Sequence, residues 1–197
     1  MDGKLGQPQI VYLHGFCSSP ASWKSRLLAE EMARRGLARQ FVCPQLSPVP
    51  EAAMAEVGRL IEQAPGPVTL VGSSLGGHYA NHLAEKHGLQ AVLINPAAVD
   101  RLDLAKFVGD HVNFHTGEQF FFSEAHAAQL RAQVARPTPA RYWLLLETGD
   151  EVLDYRQAQD FYAACRQTVL NGGDHSFTRF PEFIPQILEF AEIRAGL

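Results

Sequence analysis

The chain has 197 residues, 46% apolar and 19% charged, the composition of one globular domain with a sizeable core. Its 17 basic and 21 acidic residues leave a net charge of −4, and the basic ones (Lys24, Arg26, Arg34, Arg35, Arg39) form no stripe, so nucleic acid is not an expected partner. Residues 1–9 lack the apolar core of a secretory signal, no run is long enough to insert in a membrane, and Cys17, Cys43 and Cys165 fit reduced thiols, so a cytoplasmic protein is expected.

Along the chain, short apolar runs alternate with amphipathic stretches, the pattern of β-α units on a mostly parallel sheet flanked by helices. Residues 10–13 predict a buried first strand. Leu27, Leu28, Met32 and Ala33 recur at helical spacing and predict a helix over 23–35, stopped by Gly36. Residues 39–43 predict a second strand, ended by Pro44. A second helix over 50–64 follows, with Pro50 suited to its first turn and Pro65-Gly66-Pro67 closing it. The third strand, 68–71, runs straight into Gly72-Ser73-Ser74-Leu75-Gly76-Gly77; a helix over 75–87 and a strand at 91–94 come next. From about 97 to 139 no clean period holds, apart from a helical stretch at 123–135, and an insertion that long points to a lid. Strand 142–146, helix 155–164, strand 167–170 and helix 181–193 finish the chain, with Pro185 arguing for a later start to the last helix. Without repeat or linker, residues 1–197 read as a single domain.

Gly72-Ser73-Ser74-Leu75-Gly76 matches G-x-S-x-G, the nucleophile elbow. A serine hydroxyl needs a base to take its proton and must stand clear of the sheet, which a tight strand-to-helix turn achieves. The glycines leave room where a Cβ would collide. The base belongs after the last strand, where Gly172-Gly173-Asp174-His175 places His175 on a turn. The acid belongs after the preceding strand. Of Glu147, Asp150, Glu151 and Asp154, the best placed is Asp150, directly after Gly149. Asp154 is its alternative, while Glu147 sits on the strand end and Glu151 and Asp154 suit solvent or a helix cap. The chain order Ser74, Asp150, His175 is that of α/β-hydrolases. Oxyanion donors are expected from the backbone amides of Leu75, after the serine, and Phe16, in the His14-Gly15-Phe16 loop. His14 reads as a structural loop residue and Cys17 as a buried thiol or pocket wall. His78, His82 and His87 share one helix and read as surface or helix-end residues. A metal is not expected, since His78 and His82 have neither a glutamate between them nor a third ligand. His111, His115 and His126 lie in the insertion and read as solvated or substrate-facing. Phe107, Phe114, Phe120, Phe121 and Phe122 give it an aromatic face. Phe120, Phe121 and Phe122 are the candidates for binding an apolar acyl chain, packing of the core being the alternative.

Several strings go beyond the general pattern: Leu13-His14-Gly15-Phe16 with Ser18-Ser19-Pro20, the elbow with Gly77, Thr116-Gly117-Glu118-Gln119, the run from Thr148 to Gln157, Cys165-Arg166-Gln167-Thr168 and Gly172-Gly173-Asp174-His175. With these the chain resembles, over essentially its whole length, the small bacterial esterases of the YqiA type (the UPF0227 family). The resemblance implies a compact α/β-hydrolase lacking the first strands of the full fold. It also implies esterase activity extending to acyl thioesters, expected to be of the acyl-CoA type, and a triad of Ser74, Asp150 and His175; no cofactor is expected. An acyltransferase or C–C bond hydrolase on the same scaffold is the competing reading. A non-catalytic ligand-binding module is a third, which would not need all three groups.

Overall fold

The computed structural model describes residues 6–193. The elements run β1 (Gln9–Leu13), α1 (Trp23–Arg34), β2 (Phe41–Val42), α2 (Pro50–Glu62), β3 (Val68–Ser73), α3 (Leu75–His87) and β4 (Gln90–Ile94). Then come β5 (Gly109–Val112), β6 (Gln119–Phe122), α4 (Glu124–Ala132), β7 (Tyr142–Glu147), α5 (Tyr155–Phe161), β8 (Arg166–Leu170) and α6 (Phe180–Phe190). Strands β2-β1-β3-β4-β7-β8 form one sheet in that order, and every neighbouring pair is parallel. The remaining two, β5 and β6, make an antiparallel hairpin within the insertion between β4 and β7.

Central strands of a parallel sheet are covered on both faces, so they read as continuous apolar runs. All six residues of β3 and of β7 are buried accordingly. Because side chains alternate, each strand feeds two cores. Leu70, Leu93, Leu144 and Leu146 face one core with Leu83 of α3, Val57 of α2 and Leu130 of α4. Ile10, Tyr12, Val71, Val92, Trp143 and Leu145 face the other, with Leu28 and Met32 of α1 and Ile184 and Ile187 of α6.

Element by element, the chain order expected from the sequence holds, and the differences are local. Strand β2 keeps only two residues because Ala38–Gln40 wind into a 3-10 turn. Helix α6 begins at Phe180, not later than 181 as Pro185 suggested. Pro181 fits its first turn, Pro185 costs the helix one amide donor, and the buried stripe of Phe180, Ile184, Ile187 and Leu188 holds the helix regardless. The hairpin was not visible in the sequence. Its turn depends on Asn113, whose amide donates to Glu118 O while its Oδ1 accepts from the amides of His115 and Thr116. No helix among the described residues is long and apolar enough to cross a membrane.

Candidate active site

In a parallel sheet all strands end at one edge, and the loops leaving that edge converge. Four such loops meet here: those after β1, β3, β7 and β8. Ser74 follows β3 in the left-handed region, at φ 56° and ψ −122°. Such a conformation costs a non-glycine residue about 1–3 kcal/mol, so the surroundings must impose it. They do so by close packing: a Cβ on Gly72 would come 2.3 Å from Gly76 O, and one on Gly76 would come 2.0 Å from Leu13 O. The turn is locked by Ser74 N donating to Ile94 O and by Ser74 O accepting from Gly77 N and Ala97 N.

The structure brings the three residues singled out in the sequence into one hydrogen-bonded chain. His175 Nε2 lies 3.1 Å from Ser74 Oγ. On the other side of the ring, Nδ1 lies 2.8 Å from Asp150 Oδ2 and 2.9 Å from Oδ1. A carboxylate at Nδ1 assigns the proton to that nitrogen and leaves the Nε2 lone pair to accept from the serine hydroxyl. The Asp150 side chain is 1% exposed, and its Oδ1 also accepts from the amides of Val152 and Leu153, which fixes the carboxylate. Asp154 is separate: it caps α5 through Arg156 N and pairs with the Arg156 guanidinium.

The backbone of the His175 loop is held by side chains the sequence did not reveal. Asn95, buried at the end of β4, donates from Nδ2 to Asp174 O and His175 O and accepts from Glu147 N. Glu147 is fully buried and accepts from Asp174 N and from Arg179 Nε. Glu151 faces solvent as expected, and its carboxylate also accepts from His175 N at 2.9 Å. Lys24 Nζ donates to Ser176 O at 2.6 Å. Asn95, Glu147 and Glu151 showed in the sequence only as polar residues at or after strand ends, and Lys24 only as a polar residue opening a helix, all without their partners.

Leu75 opens α3, and the amides of a helix's first turn have no acceptor within the helix. The Gly15 backbone abuts the serine, since a Cβ there would stand 3.3 Å from Ser74 Cβ and 3.7 Å from Oγ. The loop carrying Phe16 therefore runs beside the nucleophile position. His14 anchors it from below: Nε2 accepts from Leu46 N, so Nδ1 carries the proton donated to Gly15 O, and burial lowers the pKa of the ring. Cys17 is a buried thiol, its pKa raised by burial.

Above this edge lies a cavity of about 470 Å³ that reaches Ser74 and His175. Phe16, Leu104, Phe107, Phe122, Leu130 and Leu153 make its walls largely apolar. The three candidate phenylalanines part company. Phe122 is buried and lines the cavity. Phe120 packs on Phe16 and His111, with centroids 5.7 and 5.6 Å away, and is absent from the lining. Phe121 points outward, 56% exposed. Strand alternation is the reason: β6 sends 120 and 122 inward and 121 to solvent. Phe114, 80% exposed, stands at the mouth with His115.

His115 is exposed and lines the cavity, as expected of a solvated or substrate-facing residue, whereas His111 and His126 are tied into the local structure. His111 Nε2 bonds Phe107 O, and His126 closes a capping box with Ser123. His78, expected at a surface or helix end, is buried, because α4 covers that face of α3. Among the described residues no group of three His, Cys, Asp or Glu side chains is disposed to hold a metal ion.

A parallel sheet flanked by helices, with a strained serine turn at its carboxyl edge, defines the α/β-hydrolase fold. The model of the uncharacterised protein family UPF0227 matches residues 9–192, and the chain belongs to that family. Solved structures agree on the fold. A crystal structure from Agrobacterium vitis S4 superposes with a TM-score of 0.74 at 18% identity, covering 94% of this chain and 88% of that one. Mouse alpha/beta hydrolase domain-containing protein 10 gives 0.71 at 18% identity over 96% and 92%. Est1E from Butyrivibrio proteoclasticus gives 0.70 at 10% identity over 98% and 91%.

Proposed function

We propose that the protein is a serine esterase acting on carboxylic esters and acyl thioesters of the acyl-CoA type, with Ser74, His175 and Asp150 as its triad. The observation that carries this reading is the Ser74–His175–Asp150 chain opening into an apolar cavity. Ser74 Oγ attacks the acyl carbon while His175 Nε2 takes its proton, and Asp150 stabilises the imidazolium. The amides of Leu75 and Phe16 receive the oxyanion. His175 then gives its proton to the departing alkoxide or thiolate, releasing an alcohol or thiol, and water repeats the sequence on the acyl-enzyme. The apolar walls suit the acyl chain, and the insertion carrying Phe107 and Phe122 serves as its lid. Three unpaired thiols support a cytoplasmic location.

A fluorophosphonate probe tests the assignment. Wild-type protein is expected to be labelled on Ser74, and Ser74→Ala to lose both the label and turnover by several orders of magnitude. Labelling retained in Ser74→Ala would overturn the nucleophile. Turnover that rises with an added alcohol acceptor would replace hydrolysis by acyl transfer.

A further inference from the structure

Lys24 is a buried charge that the proposed chemistry does not use. It is the second residue of α1 and 8% exposed, and it lines the cavity that holds Ser74 and His175. Two features of its position disfavour a cation. Burial removes it from water, and the first turn of a helix presents the positive end of the dipole. No acidic residue occupies that turn. The compensation comes from far along the chain: Nζ donates to Ser176 O, the carbonyl following His175, and attracts the carboxylates of Asp174, Glu147 and Asp150.

We propose that Lys24 is a positioning residue for His175, its ammonium holding the Ser176 carbonyl and offsetting the carboxylates around the imidazole. The inference rests on the hydrolytic reading above. The charges facing this corner are those three carboxylates, Glu151 on the His175 amide, and Arg179 on Glu147. With Arg179 committed to the outer side of Glu147, Lys24 supplies the positive charge on the cavity side. A simple tie between α1 and the loop would need only a neutral donor. A charge at this place acts on the imidazolium that forms when Ser74 gives up its proton.

Burial brings the Lys24 ammonium down to about 8, against the pull of the carboxylates. Deprotonation therefore falls within the range where hydrolysis is measurable. Its sign separates it from unfolding. Between about 8 and its ordinary value of 10.5 only the unfolded chain holds this proton, so the group's contribution to folding stability rises with pH while the site loses its cation.

The experiment compares wild type, Lys24→Met and Lys24→Arg between about pH 6 and 10, reading kcat, KM, fluorophosphonate labelling rate and melting temperature. Wild-type kcat should fall with a midpoint near 8, with no matching fall in melting temperature. Lys24→Met should lose about tenfold to a hundredfold in kcat at nearly constant KM and show no alkaline limb. Lys24→Arg should recover part of the rate and push the limb to higher pH. Wild-type kcat in Lys24→Met, an alkaline limb that persists in it, or a loss confined to KM would each overturn the role. The His175 imidazole nitrogens, followed by NMR without substrate, give an independent reading. They should shift in Lys24→Met and, in wild type, on crossing pH 8. Unchanged signals in either case overturn the proposal, and the wild-type titration decides it even if Lys24→Met does not fold. Failure to label wild-type protein would instead sink the hydrolytic reading, while the imidazole signals still decide on Lys24.

Discussion

Asp150 and Asp154 sit four positions apart in one acidic run, yet their surroundings assign them different work. Asp150 is enclosed, bonded to two amides and aimed at His175 Nδ1; Asp154 is 40% exposed and neutralised by Arg156. Arg156 holds the Asp154 carboxyl below its ordinary pKa, as expected of a surface ion pair. Asp150→Asn should keep the fold and cut kcat by about a thousandfold or more, because an amide at that place favours the wrong imidazole tautomer. Asp154→Asn should leave kcat within about twofold and barely move the melting temperature, since Asn caps a helix about as well as Asp. Steady-state kinetics with melting curves on both variants decides it, and a reversed pattern would move the acid to Asp154. Ser74 was legible from the G-x-S-x-G motif, and Asp150 and His175 because each follows a glycine turn after a strand. Asn95, Glu147 and Lys24 were not, because their partners lie 79, 27 and 152 positions away and become neighbours only through the sheet order.

The insertion shows where local pattern fails at the level of elements. Phe120-Phe121-Phe122 reads as an unbroken apolar run, which hides the alternation of a two-stranded ribbon with one wet face. Pairing of Asp110 with Phe121 and of His111 with Phe120 sets those faces. The inner face clamps Phe16, whose ring meets Phe107, His111, Phe120 and Phe122 at 4.8–6.1 Å, while Phe114 N and Asn113 Nδ2 bond Cys17 O and Ser18 O. The insertion and the loop after β1 are thus one packed unit. Kinetics should sort the phenylalanines. Phe114→Ala at the mouth should lower kcat/KM on an octanoyl ester by about threefold to tenfold, as contact with one or two methylenes is lost, and spare an acetyl ester. Phe121→Ala should change neither ester. Phe122→Ala should cost about 3–5 kcal/mol of stability and depress both esters together, since that ring is core and wall at once. An octanoyl-specific loss in Phe121→Ala would contradict the outward placement of its side chain.

At the scale of the molecule, two apolar cores sandwich the sheet, and strand-helix alternation was enough to foresee it. What the alternation could not show was how α4 docks on α3. There, α3 supplies polar side chains to the carbonyls at the end of α4: His78 to Leu130, His82 to Gln133 and Asn81 to Ala135. His78 is thereby buried against the Leu130 carbonyl as a neutral ring, its Nε2 unpartnered. Burial and the neighbouring His82 pull it from 6.5 to about 4. The sign follows from linkage. Below 6.5 the unfolded chain takes up a proton that the folded one refuses, so this contribution to stability is complete above 6.5 and declines as pH falls toward 4. That gap corresponds to about 3 kcal/mol, a large share of the stability of a domain this size. His14 and His82 are also lowered by burial and act in the same direction, whereas the carboxylates held low by basic partners, Glu31 and Asp154, lose their contributions only at more acid pH. The melting temperature should therefore fall between pH 6.5 and about 4.5. His78→Gln, which keeps an amide donor for Leu130 O and cannot titrate, should flatten that fall by about half even if it starts from a lower plateau. An equally steep decline in His78→Gln would place the acid sensitivity elsewhere than the α3–α4 contact.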